Sequence, residues 1–210
     1  MANSVTNAVG AVAMLVLLPI TAVHANNGYG MTAAVGMSVF VISLFLMFLS
    51  SAIYHAMDYN SPHKMVLRII DHSMIYIAIA GSYTPICVIP LRDTVGIPLL
   101  ILVWAVAIAG MLIKAFWITC PKWFSSTIYI AMGWLCVLAM VPLVQTLPTA
   151  AFIWLVAGGV IYTIGGVIYA LKLPLFNAKH QYFGSHEIFH VFVMAGSLCH
   201  YVTMFYIATM

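Results

Sequence analysis

Charged side chains are scarce in this chain. Its 210 residues include seven Lys or Arg and four Asp or Glu, so charged residues make up 5% of the sequence and hydrophobic residues 65%. A soluble domain usually carries about 25% charged residues, and so few charges could not cover a folded globule in water. The composition excludes an ordinary soluble enzyme, a nucleic-acid-binding protein and a disordered segment, which would be poor in hydrophobic residues. It predicts a multi-pass membrane protein.

Two further absences narrow the class. No Lys or Arg precedes Lys64, whereas a secretory signal peptide opens with a positively charged region, so we expect the first apolar stretch to remain as a membrane span. The cysteines are few and widely spaced, which argues against a disulfide framework and against a cysteine-rich zinc module. We interpret all four as small apolar residues: Cys87, Cys120, Cys136 and Cys199.

Polar breaks, the first at His24–Gly28, divide the chain into seven apolar stretches near the roughly 20 residues that a spanning helix needs. We predict spans over Val5–Ala25, Met31–His55, Asp71–Leu91, Val95–Lys114, Ser125–Gln145, Ala150–Lys172 and Ser185 to the C-terminus. Met57–Arg68 is predicted as a loop or short interfacial helix, and Leu173–Gly184 as a loop. The expected fold is an all-α, seven-transmembrane-helix bundle that forms one domain over residues 1–210.

Positive charge is distributed unequally between the two sides of this topology. Arg92 is the one Lys or Arg predicted on one side, and the other side carries six: Lys64, Arg68, Lys114, Lys122, Lys172 and Lys179. Cytoplasmic loops are enriched in Lys and Arg. We therefore predict a cell-membrane protein with a cytoplasmic N-terminus and an outer C-terminus.

Ionisable side chains gather at one predicted depth. His55 ends the second span, Asp71 and His72 begin the third, and His186 and His190 lie in the first turns of the seventh. All are at cytoplasmic ends. Ionisable groups within spans are rare and usually functional, so we expect these side chains to form a site.

The string from His186 to His190 reads H-E-x-x-H. Histidines at i and i+4 of a helix point the same way, with Cβ atoms about 5–6 Å apart, so both can bind one metal ion. In metalloproteases this string supplies two zinc ligands and a glutamate general base, here Glu187. A third ligand would complete a catalytic zinc site, and His55 is the candidate. Ser51, one turn before His55, could bond a water or an oxyanion.

Other interpretations of these residues stay open. The two histidines of the motif could instead bond lipid headgroups or loop carbonyls. Asp71 could be a general base, could orient a ligand imidazole, or could pair with Arg68, and Glu187 could pair with a lysine. His72 is interpreted as a structural hydrogen-bonding residue, and so is His200, which lies about 15 Å beyond the motif along the helix.

A family resemblance is carried by six strings: Ser50–His55, Arg68–Tyr76, Ala80–Pro85, Met132–Trp134, Gly158–Gly165 and His186–His200. In these strings the chain resembles the hemolysin III family, which groups with the progestin and adipoQ receptors and the alkaline ceramidases. The resemblance covers nearly the whole chain. It implies a seven-helix bundle with its N-terminus inside.

The resemblance also implies a site. It implies a Zn²⁺ ion held by His55, His186 and His190, with Asp71 on the zinc-bound water and Ser51 beside it. Relatives of this type carry other residues at the position of Glu187, which speaks against that residue as a general base.

The start of the chain departs from the family pattern, which is an acid, then Asn, then Thr or Ser and His before a Gly. Asn7 stands where the His is expected, and no acid precedes Asn3. Any role of that acid or that His is therefore absent or altered here.

Three functions compete. The ceramidase-like relatives favour a zinc-dependent hydrolase of a lipid amide or ester bond, with Asp71 and Ser51 as catalytic residues. The alternatives are a non-enzymatic sensor or receptor-like protein with structural zinc, or the membrane permeabilisation that the family name implies. Permeabilisation needs a polar path across the bilayer, and the polar residues lie at one end only. The expected partner is a membrane lipid, nucleic acid is not expected, and no oligomeric state is predicted.

Overall fold

The computed structural model describes residues 2–58, 60–171 and 184–210, which form helices and turns without a β-strand. The helices are α1 (Ala2–Ala56), α2 (Lys64–Val88), α3 (Gly96–Phe116), α4 (Lys122–Gly133), α5 (Met140–Thr146), α6 (Thr149–Leu171) and α7 (Ser185–Ala208), with a 3₁₀ segment, Trp134–Ala139, between α4 and α5. The all-helical prediction is confirmed for these ranges. Residues 173–183 of the predicted loop, together with Lys172, lie outside the described residues.

Six helical stretches in the described ranges are long and apolar enough to cross a membrane. They are α1, α2, α3, α6, α7 and the continuous stretch from α4 through α5. The described residues therefore form the long apolar helices that a multi-pass membrane protein requires.

The helix α1 is made of two antiparallel halves that meet at Gly30. This glycine has φ 76° and ψ −170°, a left-handed conformation that a residue with a side chain rarely adopts. The Ser4 hydroxyl donates to the Ala52 carbonyl at 3.0 Å, and a Cβ on Gly10 would lie 3.0 Å from the Phe48 ring. The two halves thus pack side by side, which brings the N-terminus back to the C-terminal end of α1.

The first predicted break was misplaced. The polar stretch His24–Gly28 is helical, and the chain reverses only at Gly30. Polar side chains at a helix surface do not interrupt backbone hydrogen bonding, whereas a glycine with positive φ does.

The helix α2 begins at Lys64, seven residues before the predicted start of this span at Asp71. The Lys64 Nζ donates to the carbonyls of Tyr54 and Met57, both at 2.7 Å. A basic side chain that bonds the last carbonyls of a helix stabilises its end. Lys64 therefore joins the start of α2 to the end of α1, and Asp71 lies two turns inside α2.

The predicted span Ser125–Gln145 is not one continuous α-helix, because α4 ends at Gly133 and a 3₁₀ segment follows. Pro142 has no N–H, and its ring conflicts with the carbonyl four residues earlier. The Tyr83 hydroxyl donates to the Gly133 carbonyl at 2.6 Å and accepts from the Cys136 N–H at 2.8 Å. A side chain of α2 thus bonds backbone groups at this change of helix type.

Glycines of α6 allow α7 to approach closely. A Cβ on Gly158 would overlap the His200 ring, and one on Gly165 would overlap the Cβ of Phe192. These two glycines form a packing seam between α6 and α7. The seam sets the position of α7, which carries two of the candidate metal ligands.

Candidate metal centre

Three imidazoles meet at one end of the bundle. The Nε2 atoms of His55 and His186 are 3.1 Å apart, those of His55 and His190 are 3.2 Å apart, and those of His186 and His190 are 3.4 Å apart. His190 is buried, and the other two are partly buried. The three candidate ligands named from the sequence are therefore brought together.

Two helices position this triad. His186 and His190 are one turn apart in α7, and the helical period aims both rings the same way. His55 lies in the last turn of α1, whose end is held by Lys64. The ring of Tyr54 packs edge-on to His55, with ring centroids 4.9 Å apart. Residues 131 or more positions apart in sequence are thus fixed within hydrogen-bond distance.

The donor set fits a metal ion better than it fits hydrogen bonds alone. A hydrogen bond between two Nε2 atoms needs one protonated and one unprotonated nitrogen. Three mutual contacts therefore cannot all be hydrogen bonds, and at most two can. A single cation that accepts a lone pair from each nitrogen satisfies all three at once. His55, His186 and His190 could therefore hold one metal ion.

A cavity of about 140 Å³ opens beside the triad. His186 and His190 line it, together with Asp71 and Ser51. Asp71 is buried at 9% exposure and Ser51 at 4%. Their side chains are close enough to interact, yet the Ser51 hydroxyl completes no hydrogen bond with the described part of the chain. A carboxylate and an uncommitted hydroxyl thus share one cavity with the imidazoles.

Glu187 does not face the triad. Its carboxylate accepts from the Asn3 side chain at 3.0 Å and from the Gly184 N–H at 2.8 Å, which caps the N-terminus of α7. The pairing with a lysine that the sequence left open is not present among the described ion pairs. This acid stabilises a helix end and is not aimed at the cavity.

Asn7 is a contact residue of the site that the sequence reasoning did not assign. Its Nδ2 lies 3.2 Å from His190 Nδ1 and donates to the Asn3 carbonyl at 2.7 Å. It is buried at 2% exposure. The sequence did mark this position, because Asn7 stands where the family pattern has a His. Its contact with His190 could not be inferred, since it depends on the fold-back of α1 at Gly30.

Two other histidines have structural surroundings. His72 Nδ1 donates to the Arg68 carbonyl at 2.8 Å, as expected of a hydrogen-bonding residue. It also lies 3.8 Å from Asp71, whereas no Asp71–Arg68 ion pair occurs in the described ranges. The hydrogen-bonding interpretation of His200 stays a prediction: the Leu155 backbone is close enough to interact with its ring, but neither ring nitrogen has full hydrogen-bond geometry with the described residues. Its ring packs edge-on to Tyr162, with centroids 5.2 Å apart.

The sequence is similar to one family over almost its full length. The family described as Haemolysin-III related matches residues 1–201. Hemolysin-3 of Bacillus cereus is 35% identical over 207 residues, which cover 98% of this chain and 90% of the relative. The Hemolysin-3 homolog of Bacillus subtilis (strain 168) is 35% identical over 196 residues, covering 93% and 88%.

A more distant similarity is local. The adiponectin receptor protein of Drosophila melanogaster is 41% identical over 51 residues, which cover 23% of this chain and 12% of the receptor. No solved structure matches the chain.

Proposed function

The chain belongs to the haemolysin III family of multi-pass membrane proteins, and from its geometry we propose that it is a zinc-dependent hydrolase of a lipid amide or ester bond. The observation that carries this proposal is the mutual approach of three imidazole Nε2 atoms within 3.4 Å. A carboxylate and a hydroxyl line the cavity beside them.

We propose seven spans, with the N-terminus in the cytoplasm and the C-terminus outside. Support comes from the reversal at Gly30, because an unbroken helix of the 55 residues in α1 would be about 80 Å long and would far exceed the roughly 30 Å hydrocarbon layer. Support also comes from charge, since Lys64 and Arg68 lie at the start of α2 and Arg92 follows its other end. The histidine triad is then at the cytoplasmic end.

Zinc is the proposed metal, because it binds imidazole nitrogen and often has three protein ligands. Tetrahedral coordination with Zn–N bonds of about 2.0–2.1 Å separates the nitrogens by about 3.3–3.4 Å, close to the 3.1–3.4 Å between the three Nε2 atoms. A catalytic zinc site has three protein ligands and one open position. His55, His186 and His190 would be those three ligands.

The residues that line the cavity have separate roles in the proposed hydrolysis. Bound zinc supplies a Lewis acid and lowers the pKa of water. Asp71 takes the proton that the attacking water loses, because it is the carboxylate that lines the cavity. The Ser51 hydroxyl, which lies beside Asp71 and completes no full hydrogen bond in the described ranges, donates to the oxygen that gains negative charge. His72 and Tyr129, which line the same cavity, exclude bulk water.

A membrane lipid is the proposed substrate. The cavity reaches from His186 to Trp134 and is lined by apolar side chains that include Ile75, Ile79 and Val193. An apolar chain fits such walls, while its amide or ester group would lie at the polar end.

The test measures metal and turnover on the same samples. Purified wild type, His186→Ala, Asp71→Asn and the control His63→Ala are compared by metal mass spectrometry and by fatty-acid release from a ceramide and an ester lipid. His63 is an exposed loop histidine and serves as the matched control. We expect about one zinc per chain except in His186→Ala, and fatty-acid release lowered at least about 100-fold in Asp71→Asn. Unchanged release in His186→Ala would exclude the zinc hydrolase.

A structural role for zinc is the second candidate, because the three histidines connect α1 to α7. In that case, chelation would lower the thermal midpoint while no lipid is cleaved. The name hemolysin describes the relatives and does not show that this chain lyses cells. Dye leakage from proteoliposomes tests whether this chain permeabilises a bilayer.

A further inference from the structure

A second polar cluster lies where α3 connects to α4. The Lys114 Nζ is 3.1 Å from the Cys120 Sγ and 2.5 Å from the Ser125 Oγ, and the sulfur and the hydroxyl oxygen are 3.2 Å apart. Their exposed fractions are 2%, 6% and 3%. An amine, a thiol and a hydroxyl are thus in mutual contact away from bulk solvent.

Lys114 has no carboxylate partner. The chain contains four acids, all within the described ranges, and none forms an ion pair with this lysine. Asp58 and Asp93 are exposed, Asp71 lines the cavity, and Glu187 caps α7. A buried ammonium is costly unless it is paired. Within the described ranges, the ionisable side chain that hydrogen-bonds Lys114 is the thiol of Cys120.

We propose that Lys114, Cys120 and Ser125 form a peroxide-responsive modification site, in which hydrogen peroxide oxidises Cys120 and Lys114 closes a sulfur–nitrogen bond. The Ser125 hydroxyl contacts both atoms and holds the amine against the sulfur. The proposal does not depend on the metal centre or on the proposed hydrolysis.

The reaction balances in two steps. In the first, Cys120–SH and H₂O₂ give the sulfenic acid and water, so that sulfur loses two electrons and the peroxide gains them. In the second, the Lys114 amine attacks the sulfenic sulfur, an S–N bond forms, the S–O bond breaks, and the leaving hydroxide takes a proton from nitrogen as water. The sum is Cys–SH + H₂N–Lys + H₂O₂ → Cys–S–NH–Lys + 2 H₂O.

The other cysteines lack this environment. Within the described ranges, no lysine nitrogen hydrogen-bonds the sulfur of Cys87, Cys136 or Cys199. Among the cysteines in the described ranges, Cys120 is therefore the one whose sulfenic acid would form in contact with a lysine nitrogen. Cys120 also lies between exposed residues in the α3–α4 connection, so a molecule as small as hydrogen peroxide has a short path to its sulfur.

Mass spectrometry of the purified full chain tests the proposal. After treatment with hydrogen peroxide, we expect a loss of about 2 Da that dithiothreitol reverses. Trypsin normally cleaves after Arg92, Lys114 and Lys122, and the S–N bond blocks cleavage at Lys114. The product is therefore a peptide covering residues 93–122, lighter by about 2 Da.

Two variants test whether the reaction needs the amine of Lys114 and the thiol of Cys120. Lys114→Arg retains the positive charge but lacks the amine nucleophile, so its Cys120 should stop at a sulfenic acid that dimedone traps. Cys120→Ser should show neither product. Gel filtration of each variant checks folding, and the wild-type peptide map decides the question even where a variant fails to fold. Stepwise gains of about 16 Da per oxygen at Cys120, with normal cleavage at Lys114, would overturn the proposal. So would an unmodified Cys120 at peroxide concentrations that oxidise Cys136.

Discussion

The helix α7 presents histidines to both ends of the same cavity, and their neighbours differ. His190 faces two imidazoles and Asn7, whereas His200, about 15 Å further along the axis, packs on Gly158 and Tyr162. Both line the cavity. The difference shows that a histidine becomes a candidate ligand when another helix places a second imidazole beside it. The helix α7 supplies an imidazole at both ends, and α1 adds His55 at one end only.

The largest expected effect separates the two ends directly. His190→Ala should reduce bound zinc from about one ion per chain to below about 0.1, because two ligands do not complete a tetrahedral site. His200→Ala should retain the wild-type zinc content. Metal mass spectrometry on purified protein measures both. Equal zinc in the two variants would mean that the end of α7 near α1 is not the metal centre.

Substitutions of Asn7 test whether this residue supports metal binding by His190. A histidine that binds metal through Nε2 carries its proton on Nδ1, so metal binding requires the Asn7 amide to rotate. The rotation brings its oxygen to His190 and gives up the bond that its Nδ2 donates to the Asn3 carbonyl. Loss of such a partner typically weakens metal binding by about 10–100-fold. We expect this loss in Asn7→Ala, while Asn7→Asp, which provides an acceptor, should bind at least as tightly as wild type. Competition with a chelator of known affinity gives both constants, and wild-type affinity in Asn7→Ala would contradict this role.

The meeting of His55, His186 and His190 could be predicted because it depends on local periodicity and on position along each helix. His186 and His190 share a helix face at any i, i+4 spacing, and His55 has the same depth in its own span. The contacts of Asn3 and Asn7 could not be predicted, because they require the first residues of α1 to return along its second half. That return depends on the conformation of one residue, Gly30.

The start of α2 and the surroundings of His200 were beyond sequence reasoning for a related cause. The helix α2 begins at Lys64 because that side chain bonds carbonyls of α1, and no pattern in α2 itself records this. His200 was expected to form hydrogen bonds because buried polar groups usually do. Gly158 also leaves room for the ring to pack against α6, and the sequence of α7 alone does not record this contact.

The packing of His200 on Gly158 should contribute to the stability of the protein. A Cβ on Gly158 would overlap the His200 ring, whereas one on Gly133 would meet nothing within 4 Å. Overpacking typically costs about 1–3 kcal/mol, or roughly 2–4 °C per kcal/mol for a chain of this size. We expect Gly158→Ala to lower the thermal midpoint and to retain zinc, with Gly133→Ala as the matched control at or slightly above wild type. Equal midpoints would show that α7 shifts freely against α6.

Glu187 should give the smallest effect, although it lies between the two metal-end histidines of α7. Its carboxylate bonds Asn3 and the Gly184 N–H, and the amide oxygen of Glu187→Gln can still accept one of these bonds. A general base contributes about 10²–10⁴-fold to a rate, whereas we expect Glu187→Gln to change fatty-acid release by less than about twofold. Zinc content should stay at the wild-type value. A loss of release comparable to that of Asp71→Asn, with zinc retained, would move the base from α2 to α7 and would make the H-E-x-x-H string catalytic as a unit.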